Sequence, residues 1–395
     1  MKKPLRFADF RNRILKIERF DWFAPGVILA LSVFLVLPIF LRGFPSGDDA
    51  AIHYRWAAEF VEELREGTLY PRWLSAANYG YGSPAMLFYP PLQFYVVACF
   101  SLITKEILPA LALSCWLAML LSGLTMYLFS RSFLSTNTAL GASIIYMLAP
   151  YHLYDLYQGS ALAEFWAFVW VPLLLYAVHR VIKSETWKVV PLLAVSYSLL
   201  LFTHVPTSLS VSLLLPVYVL TLTRNLGKLL RVAMGLLLGV GISAVFVIPV
   251  LFERKYVHLS VMLGADYKAL FLFRNIIETF KRLPFPNVVN GEAMVYWNAN
   301  WMALPTAALF VCSAVLLFKL KFRNDPKDDS NKPLFTVFML TLCALFLMSR
   351  LSLVIWKMIP ILAWLQFPFR LLLIISAGTS VLAAAALAAL PRLNR

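Results

Sequence analysis

The chain is a succession of apolar runs, most of them long enough to cross a bilayer and each bounded by charged residues or prolines. These runs cover residues 23–41, 108–129, 138–151, 161–178, 189–205, 206–222, 229–249, 301–319, 333–349 and 371–390. They predict about ten helical crossings. No stretch has the alternating polarity of a membrane barrel. We therefore expect an all-α, polytopic transmembrane helical bundle that forms a single integral membrane domain over residues 1–395.

A different pattern follows the first run, because apolar residues recur there at every fourth position among charged ones. The apolar positions are Ile52, Trp56, Phe60 and Leu64. This spacing predicts an amphipathic helix lying in the plane of the membrane interface, with Gly67 as its left-handed cap.

The apolar segment 87–104 is interpreted as interfacial or re-entrant. Only with that assignment do the later clusters of Arg and Lys between spans fall on the cytoplasmic side. The sequence thus predicts an external loop over residues 42–106 with interfacial helices, and a second external loop over residues 252–300.

Composition supports a membrane protein and argues against a soluble one. Hydrophobic residues make up 61% of the chain and charged residues 14%, whereas a soluble domain has nearer a quarter charged. Mean hydropathy is +0.75. The net charge of +15 comes with basic residues concentrated in short loops, which indicates membrane orientation and not a nucleic-acid partner. All four cysteines lie inside apolar segments without disulfide or zinc spacing.

The charge bias also predicts an orientation. Basic residues precede the first run, so we expect a cytoplasmic N-terminus and a multi-pass protein of the plasma (inner) membrane. Several ionisable residues then collect on the extracytoplasmic side, and Glu164 lies near the same edge. These residues are Asp48, Asp49, His53, His152, Asp155 and His204. Ionisable groups beside hydrocarbon are costly, so each should line a cavity or find a partner.

The adjacent pair Asp48 and Asp49 is the leading candidate for chemistry. A helix N-terminus stabilises carboxylates, and His53 follows Asp49 by four residues, on the same helical face. The alternative is that these aspartates only cap a surface helix. For the others, the structural alternatives are helix capping by His204 and Asp155, and an ion pair between Glu164 and a nearby arginine.

Two arginines on the external side are candidate phosphate ligands. Arg370 begins the last span and is the preferred one, and Arg72 follows the amphipathic helix. A guanidinium offers planar, bidentate donors to phosphate. The alternative for such residues is contact with anionic lipid headgroups or snorkelling at helix ends.

Ordered motifs then identify a family resemblance. They are GDDAAIHYRW, EGTLYPRW, NYGYGSPAMLFYPPLQFY, LAPYHLYDLYQGSALAEF, FTHVPT and LQFPFR. Together they resemble the prokaryotic 6-pyruvoyl-tetrahydropterin synthase-related membrane proteins, which in turn resemble the GT-C superfamily of glycosyltransferases. The family pattern has histidine where this chain has Asp48, and Arg-Gly where it has Gly159 and Ser160.

The resemblance implies transfer of a sugar from a polyprenyl-phosphate donor on the extracytoplasmic side, with an essential acid that Asp49 matches. Asp49 would act as a base with inversion, His53 would orient it, and Arg370 would stabilise the leaving phosphate. Polar groups would line the sugar site and aromatic residues would stack on it. These residues are His152, Asp155, His204, Glu164, Trp73, Tyr79 and Tyr81.

The expected partners are membrane lipid, the polyprenyl-phosphate sugar donor, and a glycan, lipid or protein acceptor. No cofactor is required by this chemistry. Some GT-C enzymes use a divalent metal such as Mg²⁺ or Mn²⁺, and Asp48 and Asp49 would hold it here. Two alternative functions remain open, namely a transporter or flippase of a lipid-linked or small polar substrate, and a non-catalytic membrane subunit.

Overall fold

The computed structural model describes residues 22–257, 291–319 and 331–390, with side chains omitted for 291–300. The predicted N-terminal basic segment and most of the predicted loop 252–300 lie outside these residues. Sixteen α-helices are described: α1 Phe23–Arg42, α2 Ala50–Arg65, α3 Ala85–Phe88, α4 Leu92–Thr104, α5 Ile107–Arg131, α6 Thr136–Met147, α7 Pro150–Tyr157, α8 Leu162–Lys183, α9 Val190–Leu201, α10 Val205–Leu222, α11 Leu226–Ile242, α12 Ala244–Glu253, α13 Gly291–Leu317, α14 Lys332–Met348, α15 Leu353–Met358 and α16 Leu372–Ala389.

The predicted all-α, polytopic fold is confirmed. Within the described ranges no strand forms, apart from an isolated bridge between Leu74 and Ser83. Five helical segments are long and apolar enough to cross a membrane, or six if α11 and α12, bent by 74°, form one span. Four shorter apolar helical segments accompany them. The number of crossings, about ten by sequence, stays a prediction.

The segment interpreted as re-entrant forms two pieces, α3 and α4. The longer piece, α4, has 13 residues, which is about 20 Å of helix. This is shorter than the roughly 30 Å hydrocarbon core of a bilayer, so α4 by itself does not span that core as an α-helix. The length is compatible with the interfacial or re-entrant interpretation.

Helices α8 and α16 form the centre of the bundle. Of the most apolar 18-residue window in each, 83% is buried for α8 and 89% for the segment that contains α16. Small residues let neighbours approach α16 closely, since a Cβ added at Gly378 would lie 1.8 Å from Thr341 Oγ1 on α14. These two helices therefore hold the residues near their ends in defined positions.

The amphipathic helix α2 forms where the sequence predicts it, but its buried face is rotated. His53, Ala57, Phe60 and Val61 are buried, whereas Ile52 is 42% exposed. The rings of Phe60 and Phe94 lie 5.5 Å apart between centroids, so packing against α4 selects this face. Gly67 follows the helix with a φ of +97°, as predicted.

Gly47 allows the loop before α2 to contact the turn between α7 and α8. The amide of Asp48 donates to Gln158 O at 2.9 Å, and that of Asp49 donates to Gly159 O at 3.0 Å. A Cβ at Gly47 would lie 2.3 Å from Ser160 Oγ and 2.5 Å from Gln158 O. Only glycine fits this contact without displacing backbone.

We expect Gly47→Ala to separate this loop from the turn and to destabilise the protein by about 1–3 kcal/mol, as overpacking typically does. Thermal unfolding in detergent micelles measures the change. Gly26→Ala is the matched control, because nothing lies within 4 Å of the Cβ it would add. Equal unfolding temperatures for the two variants would contradict the proposed contact.

Candidate functional site

The carboxylate of Asp49 is available for chemistry. Asp49 is the residue before α2, but its side chain makes no capping hydrogen bond. Its backbone oxygen accepts from the amide of His53 at 3.0 Å. The capping alternative therefore does not describe this side chain, which keeps an exposed edge at the start of α2.

The surroundings of Asp49 raise the pKa of its carboxyl. Partial removal from water is the largest cause, repulsion by Asp48 adds to it, and attraction by Arg370 opposes it. Asp48 accepts a hydrogen bond from the Tyr154 hydroxyl on α7 at 3.4 Å. The two adjacent acids thus differ in environment, because the Asp48 carboxylate accepts from Tyr154 whereas that of Asp49 lies within electrostatic range of Arg370.

Arg370 lies two residues before α16 and links this helix to the acidic residues of the site. Its Nε is 3.3 Å from Glu164 Oε2 on α8. Its Nη1 donates to Gln366 Oε1 at 2.7 Å and to Leu365 O at 3.0 Å. Glu164 also accepts from the Tyr151 hydroxyl at 2.7 Å. The predicted alternative of an ion pair for Glu164 is therefore what forms, and it fixes the guanidinium.

Asp155 is the most enclosed acid of the group. It is 1% exposed, and its Oδ2 has no hydrogen-bond partner in the part of the chain that the structure describes. Burial and the Glu164 charge raise the pKa of Asp155 well above its usual value, while Arg370 lowers it. Three acids thus lie within electrostatic range of one guanidinium: Asp49, Asp155 and Glu164.

Two histidines lie beside this cluster. His53 Nδ1 is 3.1 Å from Gln93 Nε2, and its Nε2 is 3.4 Å from the Tyr89 hydroxyl. Burial lowers the pKa of His53 to about 4, so the ring is neutral at pH 7. Its side-chain hydrogen bonds, in the described region, go to α4 and to the turn before it, and none goes to Asp49. An orienting role for His53 stays a prediction.

His204 immediately precedes α10. Its Nδ1 is 2.7 Å from Thr207 Oγ1, and it is close enough to Arg370 and His53 for their charges to act on it. Asp49, Asp155 and His204, from three separated segments, thus each lie within electrostatic range of Arg370. Their roles in substrate binding stay a prediction.

His152 is not brought into the cluster. Its ring stacks on Phe168 with 4.0 Å between centroids, and Nδ1 is 3.2 Å from Tyr146 O. The residue is fully buried, and burial lowers its pKa to about 3. On α7 its side chain points about 100° away from that of Tyr151, which faces Glu164. A substrate contact for His152 has no support in these contacts.

The aromatic loop between α2 and α3 is at the surface. Trp73 is 52% exposed and Tyr81 is 86% exposed, while Tyr79 is fully exposed. Arg72 donates to Val245 O on α12 at 3.3 Å, and its guanidinium lies 4.7 Å from the Tyr70 ring centroid. Their predicted roles in stacking and phosphate binding are untested by these contacts.

Several residues of the cluster were not predicted. Tyr151 and Tyr154 follow the i, i+3 and i+4 spacing that places them with Asp155 on one face of α7, so a helical reading of that motif could have found them. Gln93 and Gln366 lie in the quoted motifs, but no spacing or local feature of the sequence identifies them as site residues. The contact of Gln93 with His53 joins segments 40 residues apart, whereas Gln366 contacts Arg370 within the same turn region.

The donor set gives no indication of a metal centre. No group of three or more His, Cys, Asp or Glu side chains in the described ranges is arranged to hold a metal ion. The predicted divalent ion on Asp48 and Asp49 stays a prediction, and the chemistry below is derived from side chains alone.

The fold and site define a polytopic, all-α membrane protein with a charged cluster at one end of its helices. A protein-family model described as the 6-pyruvoyl-tetrahydropterin synthase related domain, membrane protein, matches residues 86–266. The resemblance predicted from the motifs is thereby confirmed over that part of the chain. The match includes Asp155, Glu164 and His204.

One relative comes from Lactococcus lactis subsp. cremoris (strain MG1363) and is described as an uncharacterized protein. It is 23% identical over 262 residues, which are 63% of this chain and 42% of that protein. The chain therefore matches less than half of the relative's length. These likenesses do not specify a reaction.

We expect Arg370→Gln to destabilise the protein by about 3–5 kcal/mol, because it leaves the buried Glu164 without its counter-charge. The double variant Arg370→Gln with Glu164→Gln should recover much of that loss. Thermal unfolding in detergent measures both, with the exposed Arg224→Gln as control. Additive losses in the double variant would show that the two side chains do not interact.

Proposed function

We propose that the protein is a membrane glycosyltransferase that moves a sugar from a polyprenyl-phosphate donor to an acceptor on the extracytoplasmic face. One observation supports this most strongly. The uncapped carboxylate of Asp49 lies within electrostatic range of Arg370, whose orientation is fixed by Glu164 and Gln366. A base and a fixed cation are the two groups that such a transfer requires.

Asp49 acts as the general base. It takes the proton of an acceptor hydroxyl, and the resulting oxygen attacks the anomeric carbon as the bond from that carbon to the phosphate oxygen breaks. The raised pKa of Asp49 improves it as a base, provided that it is ionised at the working pH. The electron pair of the broken bond leaves with the polyprenyl phosphate.

Arg370 stabilises that leaving phosphate. Its hydrogen bonds among the described residues use Nε and Nη1, so Nη2 is the nitrogen from which a ligand oxygen can accept. A fixed guanidinium needs no reorganisation as charge develops, and such groups contribute a few kcal/mol to lowering the barrier. The side chains of His53, His204 and Asp155 supply polar contacts for the sugar.

A second candidate is a proton-coupled transporter. The observation that favours it is Asp155, a buried acid with an unpartnered oxygen and a raised pKa, because buried carboxyls of this kind carry protons in transporters. The glycosyltransferase is preferred because the partly exposed carboxylate of Asp49 lies within electrostatic range of the fixed cation.

Asp49→Asn should reduce transfer by about 10²–10⁴-fold, the usual contribution of a general base. The assay offers purified protein a panel of polyprenyl-phosphate sugars with radiolabelled sugar and counts labelled product. Glu66→Gln, a change of an exposed acid just after α2, is the matched control. Undiminished transfer by Asp49→Asn would remove Asp49 from the mechanism. No transfer by the parent protein, together with proton-dependent uptake into proteoliposomes, would favour the transporter.

The pH dependence of transfer should report the pKa of Asp49. A general base works when ionised, so activity falls as pH drops through its pKa, which lies above the ordinary aspartate value. Asp48→Asn removes a like charge and should move this acid limb to lower pH. A limb that does not move, or moves upward, would mean that Asp49 is not the titrating group.

A further inference from the structure

A second charged region lies at the other end of α8. A cavity of about 580 Å³ is bordered by the C-terminal ends of α5 and α8, a volume typical of small-ligand sites. Its polar lining includes Arg131, Ser132, Tyr176, His179, Arg180 and Lys183. Fifteen residues of helix, about 22 Å along the axis, separate His179 from Glu164. The cavity is therefore distinct from the carboxylate cluster.

The three cations at this cavity have no carboxylate partner in the described region. Lys183 Nζ donates to Ser132 O at 3.0 Å, and Arg131 Nη1 donates to Leu134 O at 3.3 Å. Arg180 Nη1 donates to the Tyr176 hydroxyl at 3.3 Å. All three acceptors are neutral, so no carboxylate among the described residues compensates the positive charge of the cavity.

The nearest carboxylate along the chain is engaged elsewhere. Glu185 Oε1 is 3.0 Å from Lys228 Nζ, and its Oε2 is 3.8 Å from Arg231 Nη2. Those two cations lie on α11 and are not among the cavity's lining residues. The charges of Arg131, Arg180 and Lys183 thus remain for a ligand.

His179 provides a second, independent observation. The residue is 2% exposed, and neither ring nitrogen has a hydrogen-bond partner in the described structure. Its ring lies 5.6 Å from that of Phe133 between centroids. An unpaired buried imidazole costs free energy, and a ligand oxygen in the cavity would accept from its N–H.

A structural role explains only part of this arrangement. Cations near helix C-termini complement the helix dipole, and short loops between spans attract them through membrane orientation. These effects account for Arg131, Arg180 and Lys183 one at a time. They do not account for the cavity between the two helix ends or for the unpartnered His179 that lines it.

We propose that this cavity binds a phosphate group. Three cations around a cavity with a buried donor match the charge and acceptor oxygens of a phosphate mono- or diester. The group belongs either to an anionic lipid headgroup or to a soluble phosphate, which have this chemistry in common. The site is independent of the glycosyltransferase proposal.

Binding is tested on the full chain in neutral maltoside micelles by the thermal shift that a ligand produces. The probes are phosphatidylglycerol, zwitterionic phosphatidylcholine and inorganic phosphate. A shift with phosphatidylglycerol alone identifies a lipid headgroup, and a saturable shift with inorganic phosphate identifies a soluble ligand. Either result supports the site. A shift no larger than that from phosphatidylcholine, with no phosphate shift, overturns it.

Variants separate binding from folding. The triple change Arg131→Gln, Arg180→Gln and Lys183→Gln should weaken binding at least tenfold, whereas Arg224→Gln, outside the cavity lining, should not. His179→Leu should also weaken binding, yet raise the unfolding temperature of the ligand-free protein by removing unpaired nitrogens. Unchanged affinity in the triple variant, or the same loss in Arg224→Gln, would refute the assignment.

Discussion

The site depends on the buried ion pair between Arg370 and Glu164. Burying a carboxylate beside hydrocarbon is costly without a counter-charge, and Arg370 is the guanidinium whose charge acts on Asp49, Asp155 and Glu164 together. The pair also joins the start of the last helix to α8 across more than 200 positions of sequence. Without it, the acids would repel one another in a poorly hydrated space.

The length of α8 sets the distance between the two charged regions. This helix of 22 residues has Glu164 in its first turn and Arg180 and Lys183 in its last. At 1.5 Å per residue it extends about 33 Å, close to the thickness of a bilayer core. If α8 crosses the membrane, acids lie at one face and cations at the other. Such an arrangement agrees with the basic bias of cytoplasmic loops.

Patterns of apolar residues predicted the helical class and most of the helix positions, because length and periodicity report burial directly. The Asp48 and Asp49 pair was also recognisable from local sequence, because the two acids directly precede the amphipathic repeat. The face of α2 was not predicted correctly, since the contact of Phe60 with Phe94 favours burial of His53 over Ile52. A four-residue apolar repeat does not specify which of two adjacent faces of the helix is buried. Packing against a partner helix decides between them.

Long-range contacts of the site were not accessible from sequence. Nothing local to Arg370 identifies Glu164, on a distant helix, as its partner. His152 shows how the surroundings of a polar residue depend on its position within a helix. It lies in a motif rich in polar residues, but its place on α7 points it at Phe168 in the core. Which side of a short helix faces the site depends on its neighbours.

A cryo-electron microscopy map of the protein with bound polyprenyl phosphate would test the central claim most directly. The account requires phosphate density within hydrogen-bonding distance of the Arg370 guanidinium, with the Asp49 carboxylate facing the space beside it. Phosphate density remote from Arg370, with the Arg370 and Glu164 pair intact, would contradict it.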